Sequence, residues 1–240
     1  MFCMWYTDKK MSIQTWRGDI MRESFISSGE DERIDNYDVV CDNWRKLYQA
    51  MDKEELRERF QLEMDEQAMY LTFYNEKYRL DHKSGMLTLL HHPDRKLLFS
   101  TVISIYNLFH YSKPGARLAG EFVPFRQVKR AAPFAPAFQR KTVDFLASVF
   151  DGHMEELRLA CDRLGGKPMK QGDVGYQILV FDCLPVQVFF WDGDEEFPAQ
   201  ANILFDANIT DFVHEETVSC IGTSLVQRLI EESGIEGKTC

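Results

Sequence analysis

Two runs of β-branched and aromatic residues constrain this chain most. Tyr176-Gln177-Ile178-Leu179-Val180-Phe181 and Val186-Gln187-Val188-Phe189-Phe190-Trp191 flank Asp182-Cys183-Leu184-Pro185. Residues that fit a pleated, half-buried surface, interrupted by turn formers, specify a hairpin. It carries the strongest β signal in the sequence and is expected at the centre of a sheet. After the turn residues 192–198, the segment 201–205 can return as a third strand. Earlier runs at 68–74, 77–80 and 86–90 are also β-rich. They break at Asn75-Glu76 and Ser84-Gly85, as in a meander.

Helical patterns separate these two groups of strands. Tyr37, Val40, Cys41, Trp44, Leu47, Tyr48 and Met51 recur at i, i+3, i+4 and i+7, giving one apolar stripe. Asp35 is positioned to cap that helix, and Asp52 with Glu55 resembles a capping box that starts a second one. Residues 97–109 are apolar on nearly every face, which predicts a buried helix, with Pro93 at its first position. Residues 118–123 read as a short strand. Helices are expected over 137–150 and 153–164, the latter stopped by Gly165-Gly166, and a terminal helix defined by Phe212, Val218, Ile221, Leu225 and Leu229 ends at Gly234. Strands in two groups with helices between them predict an α+β fold, an antiparallel sheet packed with helices in a single compact domain over 36–234. Residues 1–35 read as a weakly ordered N-terminal segment and 235–240 as a tail.

The net charge of -10 is distributed unevenly. Residues 113–141 hold seven cations (Lys113, Arg117, Arg126, Lys129, Arg130, Arg140, Lys141) against one acid, Glu121, a net of +6. Residues 171–227 hold ten acids and no Lys or Arg, a net of -10. An acidic chain of this kind is not expected to bind nucleic acid, which needs clustered Lys and Arg. The six cysteines lie at least twenty residues apart. No C-x-x-C pair suggests zinc, an iron–sulfur cluster or a thioredoxin-type site, so no metal ligand set is assigned. No signal-peptide pattern and no 18-residue apolar stretch is present, so a reduced, cytoplasmic protein with no membrane association is expected.

Two clusters are candidate sites. Asp192, Asp194, Glu195 and Glu196 bring carboxylates together on one turn, a pattern suited to a hard cation or to acid–base work, and equally to a solvated turn. Arg117 and Arg126 stand in sequence beside Phe122 and Phe125, a combination suited to an anionic planar or phosphorylated ligand, or to ion pairs with the acidic segment. His214-Glu215 does not extend to H-E-x-x-H, because Val218 occupies the fourth position after His214. No nucleophile elbow, P-loop or dinucleotide fingerprint occurs.

Leu118-Ala119-Gly120-Glu121-Phe122-Val123-Pro124-Phe125-Arg126 resembles the L-x-G-E-aromatic-x-x-F-R motif of a family built on a domain of unknown function and found mostly in anaerobic microbes. Gly172-Asp173, Leu184-Pro185, the run from Trp191 to Ala199, and Ile203-Leu204-Phe205-Asp206 resemble that family's G-D, L-P, W-x-G-D-E-E-F-P-A and L-F-D elements, in the same order. The resemblance covers residues 69–232 and implies no established activity. Some relatives carry a cysteine-rich iron–sulfur segment like those of corrinoid-linked one-carbon metabolism, and this chain lacks those cysteines.

Three readings follow. In the first, a small anionic or cofactor-like ligand binds in a cleft between the basic and acidic motifs, with Arg117, Glu121, Phe122, Arg126, Trp191, Asp194, Glu195 and Glu196 as its contacts. In the second, the protein is a carboxylate- or metal-dependent enzyme using Glu121, Asp194 or Glu196. In the third, both motifs are structural. The identity of the cofactor, if any, and the oligomeric state stay open.

Overall fold

The computed structural model describes residues 36–235. The N-terminal segment 1–35, the cap expected at Asp35 and the tail beyond Ile235 lie outside the described residues. The chain builds two antiparallel sheets packed with helices, an α+β fold as expected, with two sheets where the sequence suggested one.

Helix α1 (Asn36–Ala50) follows the predicted stripe and buries Cys41 and Tyr48. Asp52 caps α2 (Lys53–Phe60), its Oδ1 accepting the Glu54 and Glu55 N–H groups at 2.9 and 3.1 Å. Strands β1 (Glu63–Met64), β2 (Ala68–Phe73), β3 (Glu76–Asp81) and β4 (Leu87–Leu89) form the meander. Asp81 holds its third turn, accepting from the Lys83 and Ser84 amides and the Ser84 hydroxyl. The Ser84 amide first, then the Ser84 hydroxyl and Arg79, pull its carboxyl down to about 2.

Helix α3 (Phe99–Tyr111) is the buried one, with Ile103, Ile105, Tyr106, Leu108 and Phe109 in the core. Pro93 does not start it. The proline sits six residues earlier in a turn closed by Arg95 N–H to His92 C=O at 3.0 Å, where its fixed φ suits the second turn position. The strand expected at 118–123 shrinks to β5 (Phe122–Pro124), because residues 118–121 are fastened as a loop.

From 135 to 150 the chain is continuously helical: α4 (Ala135–Phe138), a π-helical turn (Gln139–Val143) and α5 (Asp144–Phe150). Helix α6 (Met154–Arg163) stops at the predicted glycines. Gly166 N–H reaches Cys161 C=O and Gly165 N–H reaches Asp162 C=O, both at 2.9 Å, the paired bonds of a Schellman stop, with Gly165 at φ +70°.

The second sheet has the order β5-β9-β8-β7-β6, with β6 (Lys167–Pro168), β7 (Val174–Phe181), β8 (Leu184–Trp191) and β9 (Gln200–Asp206). The hairpin is central, as predicted, but its turn is only Asp182-Cys183, so Leu184 and Pro185 belong to the strand. A proline has no N–H for the ladder, and the register shifts beside it, at Val180. The Val180 carbonyl instead accepts the Tyr74 N–H at 3.0 Å, across to the other sheet.

Tyr74 and Asn75 form the β2–β3 turn at φ +46° and +60°, one residue earlier than the sequence suggested. Such backbone disfavours tyrosine, and the surroundings hold it there. The Tyr74 ring is wholly buried, and its hydroxyl donates to the Ile221 carbonyl at 2.8 Å. Ile221 lies on α7 (Glu215–Ser233), which ends at Gly234 with φ +70°. Phe212, expected to open that helix, precedes it in a short 3₁₀ connection, and His214 caps it.

Tyr74→Phe is expected to cost about 1 kcal/mol, the usual net worth of one hydrogen bond, and Tyr74→Ala about 3–5 kcal/mol, the range for truncating a core aromatic. Urea unfolding of both variants measures the pair, and equal losses would deny the ring its place between the sheets.

Candidate functional site

The motif residues of the second sheet are fixed first by Asp206, which is fully buried at the end of β9. Its Oδ1 accepts the Ala119 and Asn208 N–H groups and its Oδ2 accepts the Gly120 N–H, each at 2.9 Å. Gly120 adopts φ +73°, which turns its N–H inward to that carboxylate. The loop then pairs β5 to β9, Phe122 against Asp206 and Pro124 against Leu204. Phe125 goes to the core, stacked on Phe138 at 4.3 Å between ring centroids. Helix α7 passes so close that a Cβ on Gly222 would stand 2.6 Å from the Phe138 ring. Arg117, Glu121 and Arg126 are exposed, and Phe122 is half-buried.

The acidic motif lies at the other end of β9. Trp191 pairs with Gln200 and packs beside Phe189, 6.4 Å between centroids. Phe190 pairs with Ala201, so by strand alternation the Trp191 side chain takes the opposite face of the sheet. The turn carboxylates serve the backbone. Asp194 accepts from the Glu196 and Phe197 amides at 2.8 and 2.7 Å, and its own N–H returns to the Phe197 carbonyl. Those two amides, Phe197 first, hold the Asp194 carboxyl below its ordinary value. Asp192 accepts the Gly152 N–H at 2.7 Å, and Asp173 accepts the Asp192 N–H at 2.9 Å. Glu195 and Glu196 stay exposed.

The predicted contacts therefore form two groups. Arg117, Glu121 and Phe122 stand at the Asp206 end, and Trp191, Asp194, Glu195 and Glu196 at the Gln200 end. Six residue steps of β9 separate Gln200 from Asp206, about 20 Å at strand rise. Arg126 lies just past Pro124, whose partner Leu204 is four steps from Gln200, about 13 Å. Among the described residues, neither Arg117 nor Arg126 has a carboxylate within ion-pair distance, so the expected pairing of these arginines with the acidic segment is not made. Among the described residues, the ion pair between the two charge blocks is Lys113 with Asp211.

A cleft of about 540 Å³ opens beside the acidic turn, a feature sequence reasoning missed. Gln139, Asp144, Ala147, Ser148 and Asp151 line one side, and Pro198, Ala199, Gln200 and Ala201 the other. The first wall is the π-helical turn and α5; the second is the end of the W-x-G-D-E-E-F-P-A motif and the start of β9. Gln139 Nε2 donates to Asp144 at 2.8 Å. Gly193 brings the turn against Asp151, since a Cβ there would stand 2.7 Å from Asp151 Oδ1. π-helical turns concentrate at functional sites, but the insertion has no sequence signature in residues 139–143. Among the described residues, no three His, Cys, Asp or Glu side chains are grouped to hold a metal ion. Nor is any described helix long and apolar enough to cross a membrane.

The fold and these motif positions define an α+β domain with two loops fastened by carboxylates at opposite ends of one strand. Residues 52–228 match the family described as "Domain of unknown function (DUF3786)", and the chain belongs to that family. No curated protein and no solved structure matches the chain.

Asp206→Ala is expected to destabilise the protein by about 3 kcal/mol or more, since three amides lose a charged acceptor and bonds to charged groups are each worth about 1.5–3 kcal/mol. Equilibrium unfolding measures it. For Asp194, whose folded carboxyl is depressed, the stabilising contribution is complete above the unfolded value and is lost as pH falls through the folded one. The Glu196 and Phe197 amide resonances should therefore titrate with a midpoint below that of an unfolded aspartate.

Proposed function

We propose that this protein binds a small polar molecule in the cleft between α5 and the start of β9. The observation that carries the reading is the cleft itself: a concave site whose two walls are a π-helical turn and the end of a family motif. Its volume suits a small-molecule site. Asp144, Asp151 and the oxygens of Gln139 and Gln200 supply acceptors, the alanines supply apolar floor, and no Lys or Arg lines it. That donor-seeking, acidic surface favours a cationic or hydroxyl-rich ligand over the anionic one suggested by Arg117 and Arg126.

The enzyme reading gains less from the arrangement. Glu121 is about 20 Å along β9 from Asp194 and Glu196, so Glu121 does not share one substrate with either of them within a chain. The free thiols of Cys41, Cys161, Cys183 and Cys220 support a reducing, cytoplasmic setting. Burial pushes the Cys41 and Cys183 thiols up to about 11.

A library of polyamines, amino sugars and polyols, screened by saturation-transfer NMR, tests the proposal. Binding by the protein should fall at least tenfold in Asp151→Asn and vanish in Ser148→Phe, which fills the cleft from an exposed helical position. A ligand bound equally by all three proteins would place its site elsewhere.

A further inference from the structure

The two motifs that the sequence suggests as walls of one cleft stand at opposite ends of β9, yet each is built as half of a contact. At the acidic end Phe197 is 62% exposed, the most exposed large apolar side chain among the described residues. It does not dangle. Its N–H is held by the Asp194 carboxylate and its carbonyl by the Asp194 N–H, so the ring is presented on a closed turn. Around it Asp192, Asp194, Glu195 and Glu196 have no described cation within ion-pair distance. At the basic end, Leu118 is 40% exposed and Phe122 and Pro124 are half-buried, with Phe122 and Pro124 on the same face of β5. Arg117 and Arg126 flank them, exposed and likewise without a described carboxylate partner. The loop and strand carrying this patch are fastened by Asp206, so it too is presented rigidly.

We propose that these surfaces meet in trans: the Phe197 turn of one copy docks on the Arg117–Arg126 patch of a second copy. Phe197 covers Leu118, Phe122 and Pro124, while Glu195 and Glu196 face the two arginines. Charge selects this arrangement over a two-fold symmetric one. A symmetric contact through the turn would set four acids against four like acids, and like-charge juxtaposition across an interface costs several kcal/mol. Opposite poles at the two ends of one strand instead make a head-to-tail contact, which closes as a ring or extends as a filament. The charged rims make association sensitive to salt.

Sedimentation velocity of the full chain tests this. In low salt the weight-average sedimentation coefficient should rise with protein concentration. In about 1 M NaCl, where the screening length is about 3 Å, it should fall towards the single-chain value. Two half-variants sharpen the test. Phe197→Ser with Glu195→Gln and Glu196→Gln lacks the acidic half; Arg117→Gln with Arg126→Gln lacks the basic half. All five side chains are exposed, and circular dichroism checks that each variant folds. Each alone should sediment as a single chain, and their equimolar mixture should give a 1:1 pair that does not grow further. A wild-type chain that stays single at low salt and high concentration overturns the proposal. So does a half-variant that still self-associates, or a mixture that does not pair. Binding in the α5–β9 cleft is measured separately, so either result leaves that reading to its own test.

Discussion

A two-residue turn in left-handed backbone joins the two sheets, and much of the remaining structure is arranged around it. Tyr74 N–H bonds the Val180 carbonyl of β7, and Tyr74 hydroxyl bonds the Ile221 carbonyl of α7. Asn75 Nδ2 bonds the Arg163 carbonyl at the end of α6, at 2.9 Å. The next residue, Glu76, meets the nearly buried Arg228 at 2.9 Å, which also holds Glu231 and Glu232. Three successive residues thus tie the four-stranded sheet to a strand and two helices. A positive φ at tyrosine costs on the order of 1–3 kcal/mol, and it persists because these partners over-determine the position. The Val180 carbonyl is free to accept because Pro185 shifts the ladder beside it.

The same economy governs the acids of the second sheet. Asp173, Asp192, Asp194 and Asp206 accept backbone amides, although in sequence Asp192 and Asp194 belong to a cluster suited to a hard cation or acid–base work. A carboxylate that accepts several amides does for a loop what a cap does for a helix. It fixes chain direction without needing a cation, which is consistent with Arg117 and Arg126 standing apart from it. These aspartates serve the backbone, while the Phe197 ring, Glu195, Glu196 and the arginines remain outside that network.

What was legible in the sequence was local. The β7–β8 hairpin, the Asp52 cap, the Gly165-Gly166 stop and the buried α3 each follow from residues a few positions apart. What was not legible depends on partners far along the chain. Asp206 reaches amides 86 and 87 residues away, and nothing near it announces the bond. Tyr74 reads as a strand residue by propensity, and only the buried socket between β7 and α7 makes it a turn residue. Pro93 carries signals for both a helix start and a turn, and the turn prevailed. The cleft was invisible for the same reason: its walls come from segments far apart in the chain, 139–151 and 198–201, and its floor is alanine, which marks nothing by itself.

The charge polarity has a physical consequence that follows from strand length alone. The poles are separated by about 13–20 Å along β9, while the screening length at physiological salt is about 8 Å. Across that distance the basic and acidic surfaces barely attract one another, so their separation does little to stabilise the chain that carries them. Burial cannot explain them either, since Arg117, Arg126, Glu195 and Glu196 are all exposed. Each pole nevertheless carries unneutralised charge, which raises the repulsion within its own end of the molecule. An arrangement that gains little inside the fold and costs something locally exerts its main effect on what approaches from outside. At one end that approach meets a rigid Phe197 among acids. At the other it meets Leu118, Phe122 and Pro124 between arginines.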